Sequence, residues 1–130
     1  MKKLWKMIIV IAMLLVFTIG YAQQMVYVTG PETVSWDAVV GATGYELFAK
    51  KNDVETSMGI TTLTTFDVDV TLLGEGIYVI GVRALKEIQG VVIPPSDINW
   101  SDINGEWTPV PFVLVYYLPV QMPKNLRVKE

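Results

Sequence analysis

An oxygen-rich run late in the chain contains the side chains best suited to chemistry. Its members are Asp97, Asn99, Asp102, Asn104 and Glu106. Calcium binds such oxygens, but an EF-hand loop needs a glycine at its sixth position and a glutamate at its twelfth. Counted from Asp97 the sixth residue is Asp102, and counted from Asp102 it is Trp107, so neither register fits. Turn residues facing water are the better interpretation, because Asp and Asn side chains favour turns. We predict no metal and no cofactor.

Two tryptophans flank part of a short repeat in the same stretch. The sequence Ser-Asp-Ile-Asn occurs twice in residues 96–104, with Trp100 between the copies and Trp107 after the second. Exposed aromatic rings stack on sugars or anchor protein partners. Trp100 and Trp107, together with Asp97 and Asp102, therefore form a candidate binding loop. The alternative is that Trp100 folds back over the edge of the domain as a lid.

Composition excludes most catalytic sites. The chain of 130 residues has no cysteine and no histidine, so disulfides, thiolate nucleophiles, imidazole metal sites and Ser-His triads are absent. Carboxylates are present, but no spacing places a pair in a recognisable pocket, and we predict that the protein is not an enzyme. Without the three lysines of the first six residues, seven basic residues face thirteen acidic ones, a net charge of −6. This balance argues against nucleic acid as a partner.

Residues 1–22 have the pattern of a signal peptide. Three lysines precede an apolar run at residues 7–19, which only one threonine interrupts, and Gly20 and Ala22 supply the small residues of a cleavage site. The alternative is a membrane anchor, but a span needs about 20 apolar residues and this run is shorter. We predict that the mature chain starts at Gln23, is secreted or extracytoplasmic, and has no membrane span.

Two alternating runs surround a glycine-rich turn at residues 73–76. Alternate residues of a half-buried strand face the core, and both runs, residues 65–72 and 77–84, have this period. The inward sets are Phe66, Val68, Val70 and Leu72 in the first run, and Tyr78, Ile80, Val82 and Ala84 in the second. The pair predicts two strands that meet at a corner of a β-sandwich.

The rest of the mature chain also lacks a helical period. Further runs with strand character occupy residues 25–28, 32–36, 45–51 and 56–62. Short strands separated by turn residues predict an all-β sandwich. The last strand, residues 112–118, is apolar on both faces, and the neighbouring strand carries the apolar Ile77, Val79 and Leu85 on its outer side. We therefore expect an exposed apolar patch, which on a monomer marks an interface, unless a loop or the C-terminal tail covers it.

Several of these segments resemble a fibronectin type III domain. Residues 35–45, with Trp36 followed nine positions later by Tyr45, are similar to that family's second and third strands, and Leu72 with Tyr78 is similar to its tyrosine corner. The resemblance implies a seven-stranded antiparallel immunoglobulin-like sandwich with a role in binding or spacing rather than catalysis. We expect a signal peptide at residues 1–22, this domain at residues 23–118 and an extended tail at residues 119–130.

The resemblance also assigns the core and isolates one long connection. The predicted core residues are Trp36, Tyr45, Leu72, Tyr78 and Val82. Tyr78 is expected to bury its ring and to hydrogen-bond the backbone through its hydroxyl. Residues 86–106 form a longer connection than the family usually has, and loops beyond about 12–15 residues are often functional. Deleting residues 90–104 is expected to leave the sandwich folded, because loop length changes closure entropy little.

The C-terminal tail has strand character of its own. Residues 123–128 resemble the linker and first strand of a fibronectin type III domain. Leu126 and Val128 are therefore a candidate assembly strand, which would add to the sheet edge of a neighbouring copy. The alternatives are a disordered tail and a tail that folds back on its own apolar sheet.

These observations predict a secreted, non-catalytic binding or assembly module. Its expected partner is an extracellular protein, as in adhesion, or a second copy of the chain. The alternative is a carbohydrate-binding accessory module that takes polysaccharide on the exposed tryptophans of residues 86–106.

Overall fold

The computed structural model describes residues 23–129, so the predicted signal peptide lies outside the described residues. The described chain is all-β with one 3-10 turn at Thr71–Leu73. Its strands are β1 (Gln24–Val28), β2 (Glu32–Ser35), β3 (Gly44–Lys51), β4 (Val54–Thr61), β5 (Thr65–Val68), β6 (Gly76–Ile88), β7 (Val91–Ile93), β8 (Asn99–Trp100) and β9 (Phe112–Tyr116). The predicted all-β class is confirmed.

The strands form one large sheet and one small sheet. The large sheet has the order β1-β9-β6-β3-β4, with β7 and β8 also paired to β6, and the small sheet consists of β2 and β5. All pairs are antiparallel except β1 with β9, which is parallel. The prediction of seven antiparallel strands is wrong, because the described chain has nine strands and one pair of them is parallel. Residues 86–106 add two strands, and β1 pairs with β9, where Gln24 N–H donates to Pro111 O and Tyr117 N–H to Val28 O.

The hydrophobic core lies between the two sheets and follows the two-residue period of the strands. It consists of Val28, Leu47, Ala49, Val68, Val70, Tyr78, Ile80, Leu114 and Tyr116. Most of these side chains come from β3, β6 and β9, the centre of the large sheet. The small sheet contributes Val68 and the partly buried Val34 and Phe66.

Tyr78 anchors the corner where the chain enters β6. Its ring is 1% exposed, and its hydroxyl donates to Gly74 O at 2.6 Å. Burial raises the pKa of the Tyr78 hydroxyl, and the nearby Tyr116 adds to the rise. The buried ring with a backbone hydrogen bond is the arrangement that the sequence predicted for this residue.

Leu72 does not belong to the core, and this prediction is wrong. Its side chain is 95% exposed. The alternating run ends early because the Asp69 carboxylate accepts hydrogen bonds from the Thr71 N–H at 3.0 Å and from its hydroxyl at 2.7 Å. These bonds lower the pKa of Asp69 and begin the 3-10 turn, which rotates Leu72 away from the core.

Trp36 lies at the margin of the core rather than at its centre. It is half-buried and packs against the core cluster, with its ring 5.3 Å from that of the buried Tyr45. The Tyr45 hydroxyl accepts a hydrogen bond from Val39 N–H at 2.9 Å. The Trp36 indole N–H is buried without a hydrogen-bond partner among the described residues. Val82 is likewise half-buried against the core.

Candidate interaction surfaces

The connection at residues 86–106 is structured rather than an open loop. β6 continues to Ile88 and forms a hairpin with β7 through Gln89 and Gly90, whose φ angles are 50° and 81°. The chain then returns to the large sheet, where β8 pairs with Gly81 and Val82 of β6. Much of residues 86–106 is therefore ordered by pairing with β6 rather than forming an open connection.

Trp100 folds back onto the sheet, as the lid alternative required. A Cβ on Gly81 would lie 2.7 Å from two carbons of the Trp100 ring, so the ring covers the glycine closely. The Lys50 ammonium lies 4.1 Å from the ring centroid, and the Phe48 ring packs at 6.5 Å. The ring of Trp100 is thus engaged within the protein.

The other members of the candidate binding loop do not join Trp100. Trp107 is 80% exposed, Asp97 is exposed and Asp102 is half-buried. The backbone carbonyl of Trp107 accepts a hydrogen bond from the Asn99 side chain at 3.1 Å. Of the two tryptophans in the candidate binding loop, Trp107 is largely exposed and Trp100 is half-buried.

An ion pair lies beside Trp100 on the outer face of the large sheet. The Arg83 guanidinium donates two hydrogen bonds to one oxygen of Glu46, at 2.6 and 3.0 Å, and Ser57 donates to the other oxygen at 2.8 Å. Burial raises the pKa of Glu46, but the hydrogen bonds and the charge of Arg83 outweigh it and lower that pKa. Arg83 also lies 5.1 Å from the centroid of the Phe48 ring. This end of the outer face is therefore closed by the protein's own side chains.

Ser101 joins β6 to β9 where their direct pairing ends. The Ser101 hydroxyl donates to Phe112 O at 2.8 Å and accepts from Ile80 N–H at 3.0 Å. Its backbone N–H donates to Ile80 O, and its carbonyl accepts from Phe112 N–H. The residue is 6% exposed. Sequence reasoning missed this role, because only the tertiary structure brings β6 and β9 to either side of Ser101.

The opposite end of the outer face carries an exposed apolar patch, here called the tyrosine patch. It consists of Met25, Tyr27, Ile77, Val115 and Tyr117. The strand register places Tyr27, Val115 and Ile77 in one row across β1, β9 and β6. The two tyrosine rings meet edge to face at 6.4 Å.

The tyrosine patch remains open to solvent. Met25, Tyr27 and Ile77 are 54%, 65% and 56% exposed, and Tyr117 is 42% exposed. Residues 98–101 cover the other end of the face, as one of the alternatives required. The tail covers neither end, because its apolar side chains are themselves exposed: 97% for Val120, 85% for Met122, 96% for Leu126 and 88% for Val128.

The small sheet presents a free edge along β2. Trp36 N–H donates to Thr64 O, so residues 32, 34 and 36 direct their backbone groups toward β5 under the antiparallel register. The backbone groups of Thr33 and Ser35 point the other way, and no described residue hydrogen-bonds to them. An unpaired row of this kind is a template for a further strand.

The surface formed by residues 23–129 also has small depressions. Two surface depressions there enclose about 150 and 250 Å³, less than the 300–1,000 Å³ or so of a typical small-molecule pocket. No group of three or more Asp or Glu side chains in this part of the chain is placed to hold a metal ion. Among the described residues, no helix is long and apolar enough to span a membrane.

Comparison of the chain with protein-family models, with curated proteins and with solved structures finds no match.

Proposed function

We propose that the protein is a secreted, non-catalytic module that binds another extracellular protein through the tyrosine patch. The observation that carries the proposal is the apolar row Tyr27–Val115–Ile77 on the outer face of the large sheet, in which Tyr27 and Ile77 are exposed beside Tyr117. Secretion is inferred from the signal-peptide pattern of residues 1–22.

The chemistry of the patch suits a protein partner. Tyrosine and methionine are enriched in protein interfaces, and tyrosine is frequent among the residues that dominate binding energy. The ring–ring contact of Tyr27 with Tyr117 holds both side chains in place before a partner arrives. Rigid aromatic anchors lose little conformational entropy on binding. An apolar sheet surface with two such anchors is suited to another protein surface.

A fibronectin type III assignment belongs to the same proposal. It is supported by the hydroxyl of Tyr78 bonded to Gly74 O and by the packing of Trp36 on Tyr45. The parallel pairing of β1 with β9 departs from the expected antiparallel arrangement. The carbohydrate-binding alternative is weakened, because Trp100 is engaged with Gly81 and Lys50 and leaves one exposed indole.

Site-specific photo-crosslinking in the secreting cells tests the proposal. Benzoylphenylalanine at Tyr27 is expected to give a discrete adduct with one other extracellular protein. Thr65, exposed on the small sheet, is the matched control position and is expected to give no adduct with that protein. Adding Ile77→Glu should abolish the Tyr27 adduct without lowering the melting temperature, because Ile77 is 56% exposed. No adduct from Tyr27, or the same adducts from both positions, would contradict the proposal.

A further inference from the structure

We propose that residues 124–129 of one copy of the protein add as a parallel strand to the free edge of β2 in a second copy. This contact uses a surface on the small sheet and not the tyrosine patch. It is thus independent of the function proposed above. It specifies the edge, the direction and the register for the candidate assembly strand that contains Leu126 and Val128.

The acceptor is the edge of a sheet with only two strands among the described residues. Two-stranded sheets are marginally stable, and a third strand with an apolar face adds stability. The outward backbone groups of Thr33 and Ser35 are available to pair with it. Beneath this edge lies the half-buried Val34, next to Trp36 with its unpartnered indole N–H. A new strand would therefore cover apolar core surface as well as satisfy backbone groups.

The donor has the period of a strand and is exposed throughout. Lys124, Leu126 and Val128 fall on one side of an extended chain, and Asn125, Arg127 and Lys129 on the other. Residues 119–129 make one hydrogen bond within the described chain, from Arg127 to Asn125 O at 3.2 Å. Pro123 immediately precedes the donor, a position where proline is compatible with a strand. Asn125 has a φ of 57° and must become extended on pairing.

The charged residues of the tail and of the β2 edge favour parallel over antiparallel pairing. In a parallel register that aligns Leu126 with Val34, Lys124 lies opposite Glu32 and Val128 lies opposite Trp36. On the outer side the same register brings Lys129 opposite Asp37. The antiparallel register through the same two residues instead opposes Lys124 to Trp36 and loses both charge pairs. Opposite charges directly across a strand pair stabilise it, whereas like charges destabilise it.

The wider charge distribution agrees with this register. Residues 119–130 contain three cationic side chains and one acidic side chain, Glu130. The small sheet and its flanks carry Glu32, Asp37, Asp67 and Asp69. Asp67 lies on the exposed face, where its carboxylate accepts a hydrogen bond from Thr33 at 2.6 Å. An acidic acceptor and a cationic donor attract each other before contact, and salt weakens that attraction.

The contact is heterologous, since the tail of one copy meets the edge of another. Such a contact leaves a free edge at one end and a free tail at the other. Repetition without closure gives linear chains of the protein.

Reciprocal charge reversal tests the proposal. One variant carries Glu32→Lys and Asp37→Lys, and the other carries Lys124→Glu and Lys129→Glu, both in the chain that starts at Gln23. Within each variant the edge and the tail have like charges, so association measured by light scattering or sedimentation should weaken by about tenfold. In an equimolar mixture every tail meets an edge of opposite charge, and association should return to the wild-type level.

Two controls separate the remaining explanations. Ile77→Glu is expected to leave this association unchanged, because the tyrosine patch is a different surface. Each variant alone should melt at the wild-type temperature, since its substitutions lie at an edge or in the exposed tail. A wild-type protein that stays monomeric at high concentration overturns the proposal. The proposal is also overturned if the mixture stays dissociated while a single chain with all four substitutions regains the contact between its tail and β2. That result would mean that the tail binds the β2 edge of its own copy.

Discussion

At the scale of single residues, Ser101 is the side chain on which the joint between β6 and β9 depends. Replacing it with alanine leaves the Ile80 N–H and the Phe112 carbonyl without their hydroxyl partner in a buried site. Ser101→Ala should lower the free energy of unfolding by about 2 kcal/mol. Urea denaturation measures the change, with the exposed Ser35→Ala as the control that should leave stability within about 0.5 kcal/mol. Equal unfolding free energies for Ser101→Ala and Ser35→Ala would contradict the role of the Ser101 hydroxyl in joining β6 to β9.

Tyr78 makes a different prediction at the same scale. Tyr78→Phe keeps the buried ring but removes the hydrogen bond to Gly74 O, and it should cost about 1 kcal/mol of unfolding free energy. Tyr117→Phe is the matched control, because that ring is 42% exposed.

The raised pKa of Tyr78 adds a dependence on alkaline pH. Because the folded protein holds the phenolic proton more tightly than the unfolded chain, the contribution is fully present below pH 10 or so, the usual tyrosine pKa. It is lost as the pH rises above that value and through the raised folded pKa. Wild-type stability should therefore fall more steeply than that of Tyr78→Phe above about pH 10. Parallel slopes for the two proteins in that range would count against the effect.

At the scale of elements, β8 and its tryptophan secure residues 98–101 to the large sheet. Trp100→Ala removes the ring from Gly81, Phe48 and Lys50, and it should lower the unfolding free energy by about 2–4 kcal/mol. Trp107→Ala removes an equally large ring that is 80% exposed and should change stability by less than about 0.5 kcal/mol. Thermal unfolding of the two variants measures the difference in stability. A similar loss in both would contradict the packing of Trp100 over the large sheet.

The same packing revises the expectation for deleting residues 90–104. That segment contains both Trp100 and Ser101, so its removal takes away a ring that covers the sheet and the clamp between two strands. Loop-closure entropy alone suggested that the deletion is harmless. The contacts of Trp100 and Ser101 now outweigh that entropy, and we expect a destabilised domain.

Local sequence patterns predicted which segments form strands better than they predicted how those strands pair. Alternation in residues 65–68 and 77–84 identified β5 and most of β6, and the glycine-rich turn identified the corner at Tyr78. The period did not reveal that Asp69 would end the run before Leu72, because that depends on a side-chain hydrogen bond. It also did not reveal β8, which has two residues, or the pairing of β1 with β9, because both depend on contacts distant in sequence. The tyrosine patch was foreseen only as an apolar outer face, since the extent of its cover depends on where residues 98–101 pack.

At the scale of the whole molecule, the two proposed surfaces lie on different sheets. The tyrosine patch is on the outer face of the large sheet, at β1, β9 and β6, and the strand acceptor is the β2 edge of the small sheet. A chain of copies joined through β2 would therefore leave each patch available for a partner. The result would be a repeated display of one binding surface, which raises avidity without any new contact.

Truncation at the two ends of the described chain should have unequal effects on stability. Residues 119–129 are exposed and make no hydrogen bond to the rest of the described chain, so ending the protein at Leu118 should change its unfolding free energy by less than about 0.5 kcal/mol. Leu118 is retained because its N–H donates to Glu75. Removing residues 23–28 deletes β1, with the 5%-exposed Val28 and all five register pairs to β9, and should cost about 3 kcal/mol or more. Calorimetry of both truncations at low protein concentration measures the difference without a contribution from association. A tail truncation as damaging as the loss of β1 would mean that the tail belongs to the fold, and it could not then serve as a strand for a second copy.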